Sequence, residues 1–184
     1  EKKYANTPML SRTHGQKASP TTFGKELKVF SSRLKKQSSF MEKRSVYAKM
    51  NGAVGNFNAH HVVLPEIKWD VETKRFLSNL GLVQNTHTTQ IENHDWLSEA
   101  LNDICMISNI LLDFSKDIWI YIMIDYIKQK KIKSEVGSST MPHKVNPIDF
   151  ENAEGNLEIT VALAQSISKK LMVSRLQRDL TDST

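Results

Sequence analysis

The stretch NHDWLSEALNDICMISNILLDFSKDIWIYIMI, residues 93–124, decides the fold class. It opens on Asn93, a residue type that caps helices, and small or apolar side chains then recur at heptad spacing. These positions are Leu97, Leu101, Ile104, Ser108, Leu111, Ser115, Ile118 and Ile122. Further apolar residues, Leu112, Trp119 and Met123, widen the surface beyond a narrow stripe. The stretch predicts one long helix that buries more than one side, as in a bundle or at a subunit interface.

Other segments also carry helical patterns. One apolar stripe is formed by Phe23, Leu27, Phe30, Leu34 and Met41. It predicts a helix that is capped by Ser19, has Pro20 in its first position and ends near Asn51. A shorter helix is predicted over residues 71–80. No alternation of period two lasts long enough to predict a sheet, so the predicted fold class is all-α.

Composition and charge indicate which kinds of ligand and location are compatible with this chain. The formal net charge is +5 and 39% of the residues are hydrophobic, which is typical of a globular chain. The charge permits anionic small molecules as ligands, but no aromatic and basic interleaving indicates a nucleic-acid surface. Cys105 is the only cysteine and lies among apolar residues, so we expect it in a core and in a reducing compartment. The longest apolar run, residues 118–124, is far shorter than the roughly 20 residues of a membrane helix.

The most polar loop is GSSTMPHKVNP, residues 137–147. Its glycine, serines and prolines interrupt the helices on both sides. Asn146 before Pro147 predicts the start of another helix, with Asp149 and Glu151 in its first turn. Hydroxyls and the ammonium of Lys144 would then lie at a helix N-terminus, where a carboxylate is stabilised. On these grounds alone, ordinary capping of the helix and a solvated lysine are the favoured interpretation.

The loop resembles the signature of the fumarase and aspartase superfamily, in which Gly-Ser-Ser is followed by Met-Pro-x-Lys-x-Asn-Pro. Within that superfamily, several segments are similar to the adenylosuccinate lyases, most closely to their bacterial-type branch. The segments are TPMLSRTHGQ (residues 7–16), NGAVGNFNAH (residues 51–60), TTQIE (residues 88–92), IDFEN (residues 148–152) and QRDLTDST (residues 177–184). The resemblance covers essentially the whole chain.

The resemblance implies a long-helix bundle in which residues 1–184 are the central helical domain that forms the core of a tetramer. The N-terminal segment and C-terminal domain of such an enzyme would lie outside this chain, so we expect the isolated chain to be inactive. The implied reaction is the elimination of fumarate from adenylosuccinate to give AMP, and from succinylaminoimidazole carboxamide ribotide in purine biosynthesis. Active sites shared between the subunits of a cytoplasmic homotetramer are also implied, with no cofactor, no metal, no nucleic acid and no membrane.

The two halves of the reaction map onto separate segments by this resemblance. Ser138 matches the general base that takes a proton from the carbon beside a carboxylate, and Ser139 would hydrogen-bond the same group. A serine needs nearby positive potential to act as a base, which Lys144 and the helix N-terminus would supply. His14 matches the general acid that protonates the leaving nitrogen, and Glu151 matches the carboxylate that orients it.

The remaining candidate residues would bind the substrate. Lys144 and Asn146 match contacts to the succinyl carboxylates, while Thr13 and Gln90 match neighbouring substrate contacts. The phosphate of the nucleotide would be held by Arg178, Ser183 and Thr184, since a guanidinium and hydroxyls suit an anion of this kind.

Some positions depart from the family pattern, and other interpretations stay open. Lys17, Asn93 and Met172 replace expected prolines, and Leu176 replaces a common tryptophan. These departures leave every proposed catalytic group in place. A sister lyase acting on argininosuccinate, aspartate or malate is the nearest alternative. A non-catalytic protein on the same helical scaffold is the second, and a nucleic-acid-binding protein the third.

Overall fold

The structure is a computed structural model that describes residues 1–130, 140–141 and 143–176, together with the backbone of residues 179 and 180. A short 3-10 turn, Lys2–Tyr4, precedes the first strand. The helices are α1 (Phe23–Glu42), α2 (Asn58–Val63), α3 (Trp69–Asn79), α4 (Asp95–Met123) and α5 (Ile148–Leu171). The strands are β1 (Pro8–Thr13), β2 (Gln16–Thr22), β3 (Tyr47–Ala48), β4 (Val83–Gln84), β5 (Ser174–Arg175) and β6 (Asp179–Leu180). They pair as β1 with β2, β3 with β4 and β5 with β6, and only the second pair is parallel.

The predicted predominance of helices is confirmed, but an antiparallel hairpin precedes α1. The predicted helix start was wrong, because Ser19 and Pro20 belong to β2. Proline is tolerated there because a two-stranded hairpin consists of edge strands. The true cap of α1 is Thr22, whose hydroxyl accepts a hydrogen bond from the backbone N–H of Lys25 at 3.2 Å. At its other end α1 stops at Glu42, well before the predicted end near Asn51.

The long central helix agrees with its prediction in extent and in its buried face. At the predicted heptad positions Ser108, Ser115 and Ile118 are buried, and the others are half-buried. Cys105 is also buried, as expected. The predicted Asn93 cap was wrong, because its side-chain amide donates to Asp95 while the carbonyl oxygen of His94 accepts the first helical bonds.

The first compact unit consists of Glu1–Ser39 and Met106–Val161. It contains the β1–β2 hairpin, most of α1, the second part of α4 and the first part of α5. Phe30 of α1 is buried and packs edge-on against Phe114 of α4, with ring centroids 5.3 Å apart. Arg33 and Asp113 join the same two helices through an ion pair of 2.5 Å.

The second compact unit consists of Phe40–Cys105 and Ala162–Thr184. Ser98 of α4 and Ser168 of α5 are buried, and their hydroxyl oxygens lie 2.5 Å apart, so small polar residues allow the two helices to approach closely. Arg44, just after α1, donates to both Glu99 and Asp103 of α4. Across the described residues, no helix is both long and apolar enough to cross a membrane.

Candidate active site

The segment that carries Thr13 and His14 is the turn of the β1–β2 hairpin. Thr13 pairs with Gln16, so the loop consists of His14 and Gly15 alone. Their φ angles are 51° and 72°, in the left-handed region that a type I′ hairpin turn requires. Glycine adopts this region freely, whereas a histidine there costs about 1–3 kcal/mol. The turn therefore presents an exposed histidine in a conformation that needs support from its surroundings.

Arg12 supplies part of that support. Its Nη1 donates to the carbonyl oxygen of Gly15 at 2.8 Å, and its Nε donates to the hydroxyl oxygen of Tyr126 at 3.2 Å. The Tyr126 hydroxyl donates in turn to the carbonyl oxygen of Leu10 at 2.9 Å. These bonds connect the hairpin turn to the segment that follows α4.

Lys144 and Asn146 lie directly before α5. The helix starts one residue later than predicted, and the carbonyl oxygen of Pro147 accepts from the backbone N–H groups of Phe150 and Glu151 at 3.1 and 3.2 Å. Lys144 is exposed and Asn146 is half-buried. An ammonium and an amide at a helix N-terminus favour anions. The arrangement can therefore hold a carboxylate.

Glu151 lies in the first turn of α5 and is exposed. Its Oε1 accepts a hydrogen bond from Trp119 Nε1 of α4 at 3.1 Å. The two residues also line a cavity of about 500 Å³. This carboxylate is favoured by the helix dipole, and its exposure leaves it accessible to a further partner.

Gln90 is exposed in the segment between β4 and α4. Thr88, which precedes it by two residues, donates through its hydroxyl to Asn51 Oδ1 at 3.0 Å. Asn51 Nδ2 donates to the carbonyl oxygen of Gly55 at 3.0 Å. The segment with Gln90 is therefore held against the glycine turn that follows β3.

Lys49 stabilises the same glycine turn from within. Its Nζ donates to the carbonyl oxygens of Asn51 and Gly52, each at 2.9 Å. Partial burial lowers the pKa of this lysine below its ordinary value. Lys49 is thus committed to backbone carbonyls.

Gly55 is the most sensitive position of this turn. Its φ is 79°, and a Cβ added there would lie 1.7 Å from the carbonyl oxygen of Thr88. We expect Gly55→Ala to cost about 2–6 kcal/mol, from backbone strain plus overpacking. Gly81→Ala is the matched control, because its φ is 76° but its added Cβ would meet nothing within 4 Å.

The check is the Tm of the whole protein with each substitution. Gly55→Ala should lower Tm clearly more than Gly81→Ala does, since only Gly55→Ala adds the clash with Thr88. Equal decreases would show that the turn does not pack against the Thr88 carbonyl.

The candidate residues fall into three groups. Thr13, His14, Lys144, Asn146 and Glu151 lie in the first compact unit, and Gln90 lies in the second. Ser138, Ser139, Arg178, Ser183 and Thr184 lie outside the described residues. Among the described residues, no hydrogen bond joins His14 to Glu151, so the predicted orienting contact is not made within this chain.

The sequence did not predict the partners that hold these groups in place. Arg12 was visible as part of a motif and Trp119 as part of an apolar helix surface, but the sequence gave no signal of the hydrogen bonds that Tyr126, Trp119 and Lys49 make. In the described part of the chain, no group of three or more His, Cys, Asp or Glu side chains is arranged to hold a metal ion.

The family model and the curated relatives that match this chain are all lyases. A family model described as lyase matches residues 1–161. Several curated relatives carry the name adenylosuccinate lyase. The protein of Legionella pneumophila is 55% identical over 183 residues, that of Escherichia coli 50% over 181 residues and that of Haemophilus influenzae 49% over 181 residues. These alignments cover 98% or more of this chain and 40% of each relative, so the chain spans about 40% of the length of the curated relatives it matches.

One solved structure supports the fold independently. The crystal structure of a fumarate lyase:delta crystallin from Brucella melitensis, bound to cobalt, is similar with a TM-score of 0.68. The match covers 98% of this chain and 41% of the other, at 18% identity. At that identity the likeness concerns the arrangement of the helices alone.

Proposed function

This chain belongs to the lyase family, and from that premise we propose that the whole protein containing it is an adenylosuccinate lyase. It would release fumarate from adenylosuccinate to leave AMP, and from succinylaminoimidazole carboxamide ribotide in the same pathway. The observation that carries the proposal is the 49–55% identity to adenylosuccinate lyases over nearly the full chain. The fit of residues 137–147 to the superfamily signature adds to it.

The first half of the proposed reaction removes a proton. Ser138 takes it from the carbon next to a succinyl carboxylate, and the electron pair moves into that carboxylate. The doubly charged species must be stabilised where its charge develops. Lys144 and Asn146 stand directly before the N-terminus of α5, which places a positive charge and a hydrogen-bond donor beside the helix dipole.

The second half breaks the carbon–nitrogen bond. The electron pair returns to form the double bond of fumarate, the nitrogen leaves, and His14 gives it a proton. Histidine suits this step because it exchanges protons near neutral pH. The exposure of His14 at the tip of a hairpin makes the ring accessible to a substrate. Glu151 would orient this ring from another subunit, since no hydrogen bond joins the two residues within the described chain.

The remaining residues would select the substrate. Thr13 and Ser139 would hydrogen-bond a carboxylate of the substrate, and Gln90 would contact the substrate. Arg178, Ser183 and Thr184 would bind the phosphate. A phosphate-binding set is expected only for a nucleotide substrate, because free aspartate, malate and argininosuccinate carry no phosphate.

A homotetramer with shared active sites in the cytoplasm completes the proposal. Support comes from α5, which exposes a stripe of large apolar side chains four residues apart. Ile159, Leu163 and Ile167 are exposed by 60%, 58% and 45% respectively. A helix face of this kind is typical of a surface that another helix covers.

The test is a substrate panel with the purified whole protein. We expect fumarate release from adenylosuccinate with a kcat/KM at least about 10³-fold above that for argininosuccinate. A site that binds a phosphate discriminates strongly against a substrate that has none, because its polar groups are then left unpaired. The measurement is initial-rate formation of fumarate at equal substrate concentrations. Preference for argininosuccinate would assign the chain to a sister lyase instead.

A further inference from the structure

We propose that Tyr126 is a positioning residue for the turn that carries His14. This inference rests on the proposed function, because it concerns the general acid of that reaction. Tyr126 lies after α4, far from the hairpin in sequence, and belongs to none of the segments that resemble the family motifs. It acts through Arg12 and the backbone of β1 and touches no part of the substrate.

The end of α4 fixes where Tyr126 lies. Asp125 has a φ of 59°, and its backbone N–H donates to the carbonyl oxygen of Ile122 at 3.1 Å. The backbone N–H of Tyr126 donates to the carbonyl oxygen of Tyr121 at 2.9 Å. This pair of bonds around a left-handed residue is the Schellman motif of a helix C-terminus.

The ring of Tyr126 also packs against the end of α4. It stacks on the ring of Tyr121, with centroids 6.1 Å apart and planes 11° apart. A contact between these two positions commonly accompanies a Schellman motif. Tyr121 also packs edge-on against Phe23, the first residue of α1. The backbone bonds and the ring contact together fix the position of the Tyr126 hydroxyl at the end of α4.

That hydroxyl makes two bonds to the hairpin. It donates its proton to the carbonyl oxygen of Leu10 at 2.9 Å and accepts from Arg12 Nε at 3.2 Å. A phenol can do both at once, because it has one donor and free lone pairs. The guanidinium also lies over the Tyr126 ring, 5.4 Å from its centroid. The Arg12 guanidinium therefore contacts both the hydroxyl and the ring of Tyr126.

The fixed guanidinium closes the turn. Arg12 Nη1 donates to the carbonyl oxygen of Gly15, the residue after His14. This bond supports a loop whose histidine has a positive φ. Without the Tyr126 hydroxyl, Arg12 Nε loses its hydrogen-bond acceptor. The His14–Gly15 turn is then held less tightly. A small displacement of a proton donor is enough to reduce a rate strongly, so the inference predicts an effect on catalysis.

The experiment compares Tyr126→Phe with Tyr121→Phe in the whole protein. Both substitutions remove one phenolic hydroxyl at the end of α4, but among the described residues the Tyr121 hydroxyl makes no hydrogen bond. We expect Tyr126→Phe to lower kcat for adenylosuccinate on the order of 10-fold, with KM changed by less than about twofold. Tyr121→Phe should leave kcat within about twofold of the unsubstituted protein.

Two further readouts separate positioning from general destabilisation. In a His14→Asn background, Tyr126→Phe should lower kcat no further, since it acts through His14. Amide hydrogen exchange over residues 11–17 should be faster in Tyr126→Phe than in Tyr121→Phe. Equal kcat values in an active protein, or unchanged exchange at the turn, would overturn the inference. An unsubstituted protein without adenylosuccinate turnover would instead refute the proposed function, and the exchange data would still decide whether Tyr126 holds the turn.

Discussion

Ser138→Ala in the whole protein should lower kcat for adenylosuccinate by about 10²–10⁴-fold, the usual contribution of a general base. The hydroxyl is the only group removed, and alanine fits wherever serine does. The carboxylate contacts proposed for Lys144 and Asn146 remain, so KM should change little. Steady-state kinetics of fumarate formation measures both parameters.

One control and one further measurement make that result interpretable. Ser166→Ala removes a hydroxyl from an exposed position of α5 and should leave kcat unchanged. Exchange of the substrate carbon-bound proton with deuterated solvent should disappear with Ser138→Ala, because no other group is proposed to remove it. A kcat close to that of the unsubstituted protein would favour a role for the loop in structure alone.

His14→Asn is the second substitution for which we expect a large loss, again about 10²–10⁴-fold in kcat. Asparagine is chosen because it tolerates the left-handed backbone that this turn requires. The hairpin should therefore persist while the proton donor is lost. Steady-state kinetics of fumarate formation measures the loss.

The matched control is His61→Asn, at an exposed histidine on α2. It should leave kcat unchanged. If His14→Asn retained the full rate, the acid would have to be another group, and the assignment of the hairpin turn to the active site would be wrong.

The helical part of the fold was predictable because one signal is long and strong. The heptad pattern of α4 extends over most of its length, and Ser108, Ser115 and Ile118 are buried at predicted positions. Ser98, Cys105 and Ile110 of the same helix are also buried but lie off the heptad positions. Burial along a long helix is set by periodicity, which is a local property of the sequence.

The hairpin escaped prediction for a physical reason. Along β1 the residues are not alternately buried and exposed, and β2 contains a proline. Its turn uses His14-Gly15 in place of the Asn-Gly or Asp-Gly pairs that indicate a two-residue turn. Pairing between the strands, which no local pattern reveals, decides the structure here. Because Ser19 is part of this strand pair, α1 is capped by Thr22 and not by the predicted Ser19.

In the candidate site, too, local sequence motifs were predictable and tertiary contacts were not. Residues within contiguous motifs, such as His14 and Lys144, could be named from the sequence by resemblance. Their supports could not, because Trp119 reaches Glu151 and Tyr126 reaches Arg12 only after α4 has packed against α5 and the hairpin. Side chains that act through tertiary contacts leave no periodic or motif signal.

The most direct test of the account is the product balance of the purified whole protein with adenylosuccinate. We predict that AMP and fumarate appear in equal amounts as adenylosuccinate disappears, without any added cofactor or metal. A protein that consumes no adenylosuccinate, or that forms fumarate only from a substrate without a phosphate, would contradict the central claim.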